Sequence, residues 1–375
     1  MTAPPLTEAR HSLNAVCPYF TMFPLSFPFR ALRQASPRAV VLDPFCGRGT
    51  SNYAARFLGL RSYGIDTSPV AVAIAKAKLA DTTHTAVMEL ARQILTEHQD
   101  YEVPEGEFWE GAYDPDTLDQ ICRLRAGLKR RRTEEAALLR GIVLGCLHGP
   151  LAKDPEKSGY FSNQMPRTFA SKPAYSVRYW TSRNLLPPKI DVLKPIERRL
   201  ARIAAEELPK RKHHGLITQG DSTHATSYAK VQDNLSYVVT SPPYYGLVTY
   251  VQDQWLRNWF VGGPETIDYG RGKQLSHESP EAFAKSLGKV WNHCGDRLKP
   301  DGKMIVRFGS IRSRDHAPLD ILRQSLASSR HDWRIEGWLD VGTADAGKRQ
   351  ADTMGTLSSP TTEFDVTIGF SRARR

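Results

Sequence analysis

A continuous apolar run, Ala39-Val40-Val41-Leu42, leads directly into Asp43-Pro44-Phe45-Cys46-Gly47-Arg48-Gly49-Thr50. No other segment constrains the fold of this chain as tightly. Four apolar residues without alternation fit a strand buried on both faces, as in a parallel sheet. The two glycines let the backbone bend sharply and come close to a ligand. A helix over about 50–58 follows, Gly59-Leu60-Arg61 turns the chain, and a second strand over 61–65 ends on Asp66. Another helix begins after Ser68-Pro69. Strand, glycine turn, helix, strand is the repeating unit of a doubly wound α/β sheet. An acidic residue closing the second strand suits a pair of ribose hydroxyls, so Gly47, Gly49 and Asp66 form a nucleotide-type site. The third glycine of the dinucleotide fingerprint is absent, and no Gly-Lys-Ser/Thr follows. Both facts count against NAD, FAD and a P-loop. The competing reading is a tight structural turn.

Strand patterning stops near residue 81 and resumes after Gly215. Leu216-Ile217-Thr218 runs into Gly220-Asp221-Ser222, and Tyr237-Val238-Val239 runs into Thr240-Ser241-Pro242-Pro243-Tyr244-Tyr245. An exocyclic base amine is a poor nucleophile because its lone pair is delocalised into the ring. Acceptors for its N–H groups orient that lone pair toward an electrophile. The Ser241 hydroxyl and the Pro242 carbonyl are two such acceptors, and Pro242 with Pro243 stiffens the loop that carries them. Tyr244 offers a flat face for a base taken out of the stack. The competing reading is a proline turn beside a core tyrosine. Further along, helices are expected over 252–260 and 280–298. A turn is expected at Lys299-Pro300-Asp301-Gly302 and a strand over 303–308. An antiparallel pair over 333–341 and 363–370 closes the pattern.

These motifs resemble those of the DNA amino-methyltransferases. Residues 43–50 look like motif I, and Thr240 to Tyr244 looks like motif IV in its Ser-Pro-Pro-Tyr form, associated mostly with cytosine-N4 enzymes. The adenine-N6 enzymes more often carry Asp or Asn at the position of Ser241. Cys17-Pro18-Tyr19-Phe20-Thr21-Met22-Phe23-Pro24 is similar to motif X, and Asp221 to the motif III residue near the cofactor adenine. The resemblance implies a Rossmann-like methyltransferase fold with S-adenosylmethionine as cofactor. It implies contacts from Tyr19, Thr21, Phe23, Asp43, Phe45, Cys46, Gly47, Gly49, Thr50, Asp66, Asp221 and Ser222. Ser241, Pro242, Pro243 and Tyr244 would be catalytic. Arg48 stands where the family usually has a small residue and is expected to be solvated. The resemblance covers about 11–80 and 216–370. The stretch between precedes motif III, whereas the family's recognition region usually precedes motif IV alone.

That stretch, 82–215, reads as a largely helical insertion between the catalytic parts 1–81 and 216–375. Its charge is uneven: one basic and eleven acidic residues lie in 81–120, against 21 basic and eight acidic in 121–215. With a net charge of +11 for the chain, a polyanionic partner is favoured, nucleic acid first. Arg167, Lys172, Arg178, Arg183 and Lys189 alternate with Phe169, Tyr175, Tyr179 and Trp180. Cations neutralise phosphates and aromatics stack or wedge at a base gap. Arg167, Lys172, Arg178, Trp180 and Tyr245 are therefore the candidate DNA contacts, against the plainer reading of a solvated basic face with core aromatics. The five cysteines form no CxxC pair, so no metal site is expected and reduced intracellular thiols are. Cys46 faces the wrong loop for a nucleophile. No leader or membrane span is legible at the N-terminus or elsewhere.

The sequence thus points to a cytoplasmic, nucleoid-associated enzyme. It would methylate the N4 amine of cytosine in double-stranded DNA by base flipping and direct transfer, as the modification half of a restriction system with a cognate endonuclease. Adenine-N6 methylation is the nearest alternative. An RNA amino-methyltransferase and a catalytically silent DNA-binding subunit are further ones.

Overall fold

The computed structural model describes residues 12–19, 23–149, 158–163, 172–205, 213–246, 254–267, 275, 277–311, 317–342 and 360–371. The chain opens with helix α1 (Ser26–Leu32) and then β1 (Val40–Asp43), which is buried along its whole length. Helix α2 (Thr50–Phe57), β2 (Arg61–Asp66) and α3 (Pro69–Leu79) complete the unit expected from the glycine turn. Ser68 starts α3 by accepting a hydrogen bond from the Ala71 amide at 3.3 Å, with Pro69 in the first turn, where its missing N–H costs nothing.

Strands β3 (Leu216–Gln219), β4 (Leu235–Thr240), β5 (Leu298–Ile311), β6 (Asp332–Gly342) and β7 (Pro360–Ser371) join β1 and β2 in one seven-stranded sheet of order β3-β2-β1-β4-β5-β7-β6. The first five positions are parallel, and β7 enters antiparallel between β5 and β6. This is the α/β class expected, with the antiparallel pair at the end of the chain. The strand order reverses at β1: β2 lies on one side of it and β4 on the other. A crevice therefore opens at the carboxyl ends of those strands. The expected turn at Lys299–Gly302 instead lies inside β5. The pairing shifts there from Leu235↔Leu298 to Tyr237↔Lys303, so Pro300 and Gly302 form an irregularity within the strand rather than ending it. The helix before it, α11 (Pro280–Gly295), stops three residues short of Leu298, where the Arg297 carbonyl accepts the Leu235 amide at 2.8 Å and the strand begins.

Between α3 and β3 lie, among the described residues, six helices: α4 (His84–Thr96), α5 (Glu107–Ala112), α6 (Pro115–Lys129), α7 (Glu134–Cys146), α8 (Pro173–Thr181) and α9 (Leu193–Ala204). Thr83, Asp114 and Thr133 cap three of them through their side-chain oxygens. These helices share one apolar cluster with α3, in which Ile74 packs among Leu139, Ile142 and Trp109. A Cβ on Gly141 would stand 2.3 Å from the Ala77 Cβ, so α7 meets α3 nearly backbone to side chain. Helix α10 (Trp255–Phe260), which follows the loop after β4, buries Trp255, Leu256, Trp259 and Phe260 in that same cluster. Arg125 donates to the Trp259 carbonyl at 3.0 Å, and Arg257 to the Leu144 carbonyl at 3.1 Å. The remaining helix, α12 (Pro318–Ala327), packs on α11. Among the described residues no helix is long and apolar enough to cross a membrane, and no cluster of His, Cys, Asp and Glu is placed to hold a metal.

Candidate cofactor and catalytic site

The turn after β1 is built by its backbone. The Cys46 amide donates to the Ile65 carbonyl at 3.0 Å, and the Gly49 amide to the Cys46 carbonyl at 2.7 Å. The Gly47 amide donates to Asp66 Oδ2 at 2.9 Å, and the Ser68 amide to Asp66 Oδ1 at 2.8 Å. Both glycines have positive φ, 50° at Gly47 and 74° at Gly49, and they are needed for different reasons. Nothing lies within 4 Å of a Cβ placed on Gly47, whereas one on Gly49 would sit 2.8 Å from the Ala75 Cβ. Gly47 thus faces open space, and Gly49 lets α3 pack against the turn. Asp66 is half-buried; burial raises its carboxyl pKa, against the pull of the two amides. Each carboxylate oxygen keeps a second lone-pair direction for a ligand hydroxyl. Tyr19 is buried beside Ser68 and Asp66, and burial with that negative neighbour raises its phenol. The N-terminal segment therefore reaches the acidic end of β2.

The third strand end joins the same edge. The Gly220 amide donates to the Asp66 carbonyl at 2.9 Å, and the Ser222 hydroxyl to the Pro44 carbonyl. Asp221 Oδ1 accepts from the Thr223 amide at 2.8 Å and its hydroxyl at 2.7 Å, so this carboxylate also shapes its own turn. Beside it, the Thr240 hydroxyl donates to Asp43 Oδ1 at 2.6 Å, with the Phe45 amide on the same oxygen at 3.1 Å. Asp43 and Thr240 are fully buried, and burial pushes the Asp43 carboxyl up to about 6 although the Thr240 hydrogen bond lowers it.

Several expected cofactor contacts also brace the framework. Asp43 ties the end of β1 to the end of β4 and is fully buried. Cys46 turns into a small apolar cluster with Val72, Ala75, Leu79 and Ile217, and burial raises its thiol well above the ordinary range. A thiol so buried and so raised does not suit a nucleophile. Thr50 is buried in the first turn of α2, Ser222 beneath the turn it braces, and Phe45 stands edge-on to Trp291 at 6.4 Å. Phe23 packs edge-on to Phe27 at 5.3 Å beneath β1 and β4. Thr21 lies outside the described residues. Arg48, expected to be solvated, is buried: it donates to the Asn14 carbonyl at 3.0 Å, and desolvation lowers its pKa to about 10. Its role is to fasten the N-terminal segment to the turn.

At the catalytic loop, Ser241 and Pro243 are half-buried and Pro242 is buried. Tyr244 is not the exposed stacking face that its sequence position suggests. It is 8% exposed, its ring meets Phe308 edge-on at 5.7 Å, and its hydroxyl donates to Glu363 Oε1 at 2.8 Å. Tyr245, expected to contact DNA, is also buried, against Phe283 at 5.6 Å and stacked on His277 at 6.1 Å. His277 Nδ1 accepts the Gly246 amide at 3.1 Å. His277 and Glu363 were missed from sequence. Glu363 did leave a signal, since Glu363 and Asp365 alternate with Phe364 and Val366 along the strand and so share one face.

The proposed DNA-facing residues separate. Lys172 and Arg178 are exposed at the start and end of α8. Tyr175 stacks on Tyr179 at 6.4 Å, and the Arg183 guanidinium lies 4.1 Å from the Tyr179 ring centroid, so an exposed ladder runs along one side of the helix. Trp180 is 3% exposed beneath Gly111 and Phe108 and packs in the interior rather than on the surface. Lys189 is paired with Asp116. Arg167 lies outside the described residues.

No protein-family model and no curated protein matches the chain. Solved structures do. An rRNA methyltransferase from Streptomyces viridochromogenes is 12% identical, with 95% of this chain and 88% of that one covered and a TM-score of 0.35. A TehB-like SAM-dependent methyltransferase from Corynebacterium glutamicum is 9% identical, covering 92% and 87%, at 0.32. An rRNA methylase from Streptococcus thermophilus is 8% identical, covering 94% and 100%, at 0.34. Likenesses this distant carry no argument about the reaction, which rests on the site alone.

Proposed function

We propose that this protein is an S-adenosylmethionine-dependent methyltransferase that modifies the N4 amine of cytosine in double-stranded DNA. The observation that carries the reading is the placing of Ser241-Pro242-Pro243-Tyr244 at the end of β4, directly beside the glycine turn of β1 and tied to it by the Thr240–Asp43 hydrogen bond of 2.6 Å. A ligand seated on the turn and a base held at the loop would meet across one crevice.

The residues fit the cofactor. Gly47 leaves the space a nucleoside needs, and Asp66, held by two amides, is an acceptor for ribose hydroxyls. When bound, S-adenosylmethionine supplies an electrophilic methyl on a sulfonium. Everything else falls to the chain. The Ser241 hydroxyl and the Pro242 carbonyl accept the N–H bonds of the target amine and so fix the direction of its lone pair. The two prolines hold those acceptors in place before the base arrives, which lowers the entropy cost of alignment. Serine rather than an acidic or amide side chain at 241 favours cytosine over adenine. The exposed Lys172, Arg178 and Tyr175, with the half-buried Tyr179, supply the chemistry for a phosphate backbone and its bases.

The test is transfer of labelled methyl from S-adenosylmethionine to duplex DNA and to tRNA, with nucleoside analysis of the products. N4-methylcytosine in duplex DNA is the expected product. N6-methyladenine would replace the base assignment, label in tRNA alone would replace DNA as substrate, and no label in either would overturn the reading.

A further inference from the structure

We infer that Glu363 is a positioning residue for the catalytic loop: its carboxylate reaches across a bare glycine to hold the Tyr244 hydroxyl and so fixes the attitude of the Ser241–Tyr244 turn. The inference rests on the proposed function for its catalytic meaning, but its structural basis stands separately.

Glu363 lies on β7 and pairs across the antiparallel ladder with Gly309 on β5. It is 2% exposed, and its Oε1 accepts from Tyr244 at 2.8 Å across 119 residues of sequence. A carboxylate in the interior is unfavourable unless hydrogen-bonded, so its burial calls for a reason. Its neighbour on that face, Asp365, has a different one. Asp365 takes Arg307 on both oxygens, at 2.7 and 2.9 Å, with Arg30 from α1 on Oδ2, and so clamps α1 to the sheet. Glu363 serves the loop.

Gly309 shows that the seat is shaped for the ring. A Cβ there would stand 3.1 Å from Tyr244 Cε2, 3.1 Å from the Glu363 Cγ and 2.7 Å from the Thr362 carbonyl oxygen. A side chain at 309 would crowd the Thr362 carbonyl first and press on the ring and on Glu363 together. Phe308 closes the other side, edge-on at 5.7 Å. Three consecutive features of the β5–β7 pair, Phe308, Gly309 and Glu363, thus hold one loop residue, three positions after Ser241. The other end of the loop is held by Thr240 on Asp43. With both ends fixed, the Ser241 hydroxyl and Pro242 carbonyl keep one orientation. Small misplacements of such acceptors cost a large factor in rate.

The experiment uses the full chain and its E363A, E363Q, G309A and Y244F variants, with the E363A/Y244F double variant. Amide hydrogen exchange over 240–246 reads the seat without any substrate. Methyl transfer to duplex DNA reads its consequence. E363A should speed exchange at 244–246 and lower kcat by about tenfold or more, with KM for S-adenosylmethionine within about twofold. E363Q, whose amide oxygen still accepts from the phenol, should recover most of both. Y244F should match E363A, and the double variant should be no worse than either single one. G309A should reproduce the exchange change with Glu363 intact, which covers the case in which E363A does not fold. Unchanged exchange in both E363A and G309A, or E363Q as impaired as E363A, or additive losses in the double variant would overturn the inference. If the wild-type chain methylates no nucleic acid, the proposed function fails, while the exchange comparison still decides whether Glu363 holds the loop.

Discussion

The turn after β1 and the loop after β4 sit side by side at one edge of the sheet, yet they are held by different means. The first is shaped by its own backbone amides and by Asp66, 19 positions from Gly47, with the Ser222 hydroxyl on the Pro44 carbonyl as a distant brace. The second is held by side chains 197 and 119 positions away, at Asp43 and Glu363, and by His277. A locally determined turn can persist through distant changes. A loop fixed from a distance inherits the state of every strand that reaches it. The cofactor side should therefore be most sensitive to changes in its own residues, and the catalytic side to changes in remote ones.

The largest expected effect tests the local half. Gly49→Val forces a branched side chain into φ 74° and against the Ala75 backbone and Cβ, within 3 Å of both. The cost should be about 3 kcal/mol or more, seen as a lower urea midpoint and lost S-adenosylmethionine binding. A variant that keeps both would show that the turn tolerates another path.

The tie between the halves comes next, and it is pH-dependent. The folded Asp43 pKa, pushed up to about 6, lies above its unfolded value of about 3.9. Folding therefore favours the protonated form. Asp43 contributes most below about pH 4, and that contribution is lost as pH rises to about 6, on the order of 3 kcal/mol in all. Asp43→Asn, which is neutral throughout, should remove this slope when urea midpoints are compared between pH 4 and 7. Parallel profiles for the two proteins would mean that the group is ionised in the fold at all these values.

Asp66→Ala should weaken S-adenosylmethionine binding by about 10- to 100-fold, since hydrogen bonds to a charged acceptor contribute roughly 1.5–3 kcal/mol, with kcat at saturation nearly unchanged. Calorimetric titration decides it. Equal loss of kcat would mean that the turn and the loop are not separable in the way their geometry suggests.

The same contrast explains what the sequence made legible. Strand β1, the glycine turn, β2 and the Ser68 cap are local, each dictated within a few residues, and all were expected where they lie. The Thr240–Tyr244 loop was recognised by its letters, but what its tyrosines do was not. Tyr244 reads as a stacking face and Tyr245 as a DNA contact. Their burial depends on Glu363 and on Phe283 and His277, which no spacing connects to them. The burial of Trp180 is hidden for a similar reason. It alternates with cations in sequence, but helix α8 turns its ring under Gly111 while Tyr175 stays outside and Tyr179 is half-buried. The irregularity at Lys299–Gly302 has a turn's composition and becomes part of a strand because Leu235 and Tyr237 pair on both sides of it.

The smallest effect concerns that outer face of α8. Lys172, Arg178 and Arg183 are exposed and form no salt bridge among the described residues, and Arg183 is already stacked on Tyr179. Charges of this kind act through counterion release, so removing one phosphate contact should flatten the salt dependence of DNA binding by about 0.9 in log–log slope. For Arg178→Ala the expected loss is about 1 kcal/mol of affinity at moderate salt, equal for any duplex sequence, with no change in kcat once DNA is saturating. Titrating labelled duplexes of two unrelated sequences at several salt concentrations measures both quantities. A loss confined to one sequence would make Arg178 a base reader. A loss of kcat would place α8 within reach of the catalytic loop, through the apolar cluster that it shares with α10.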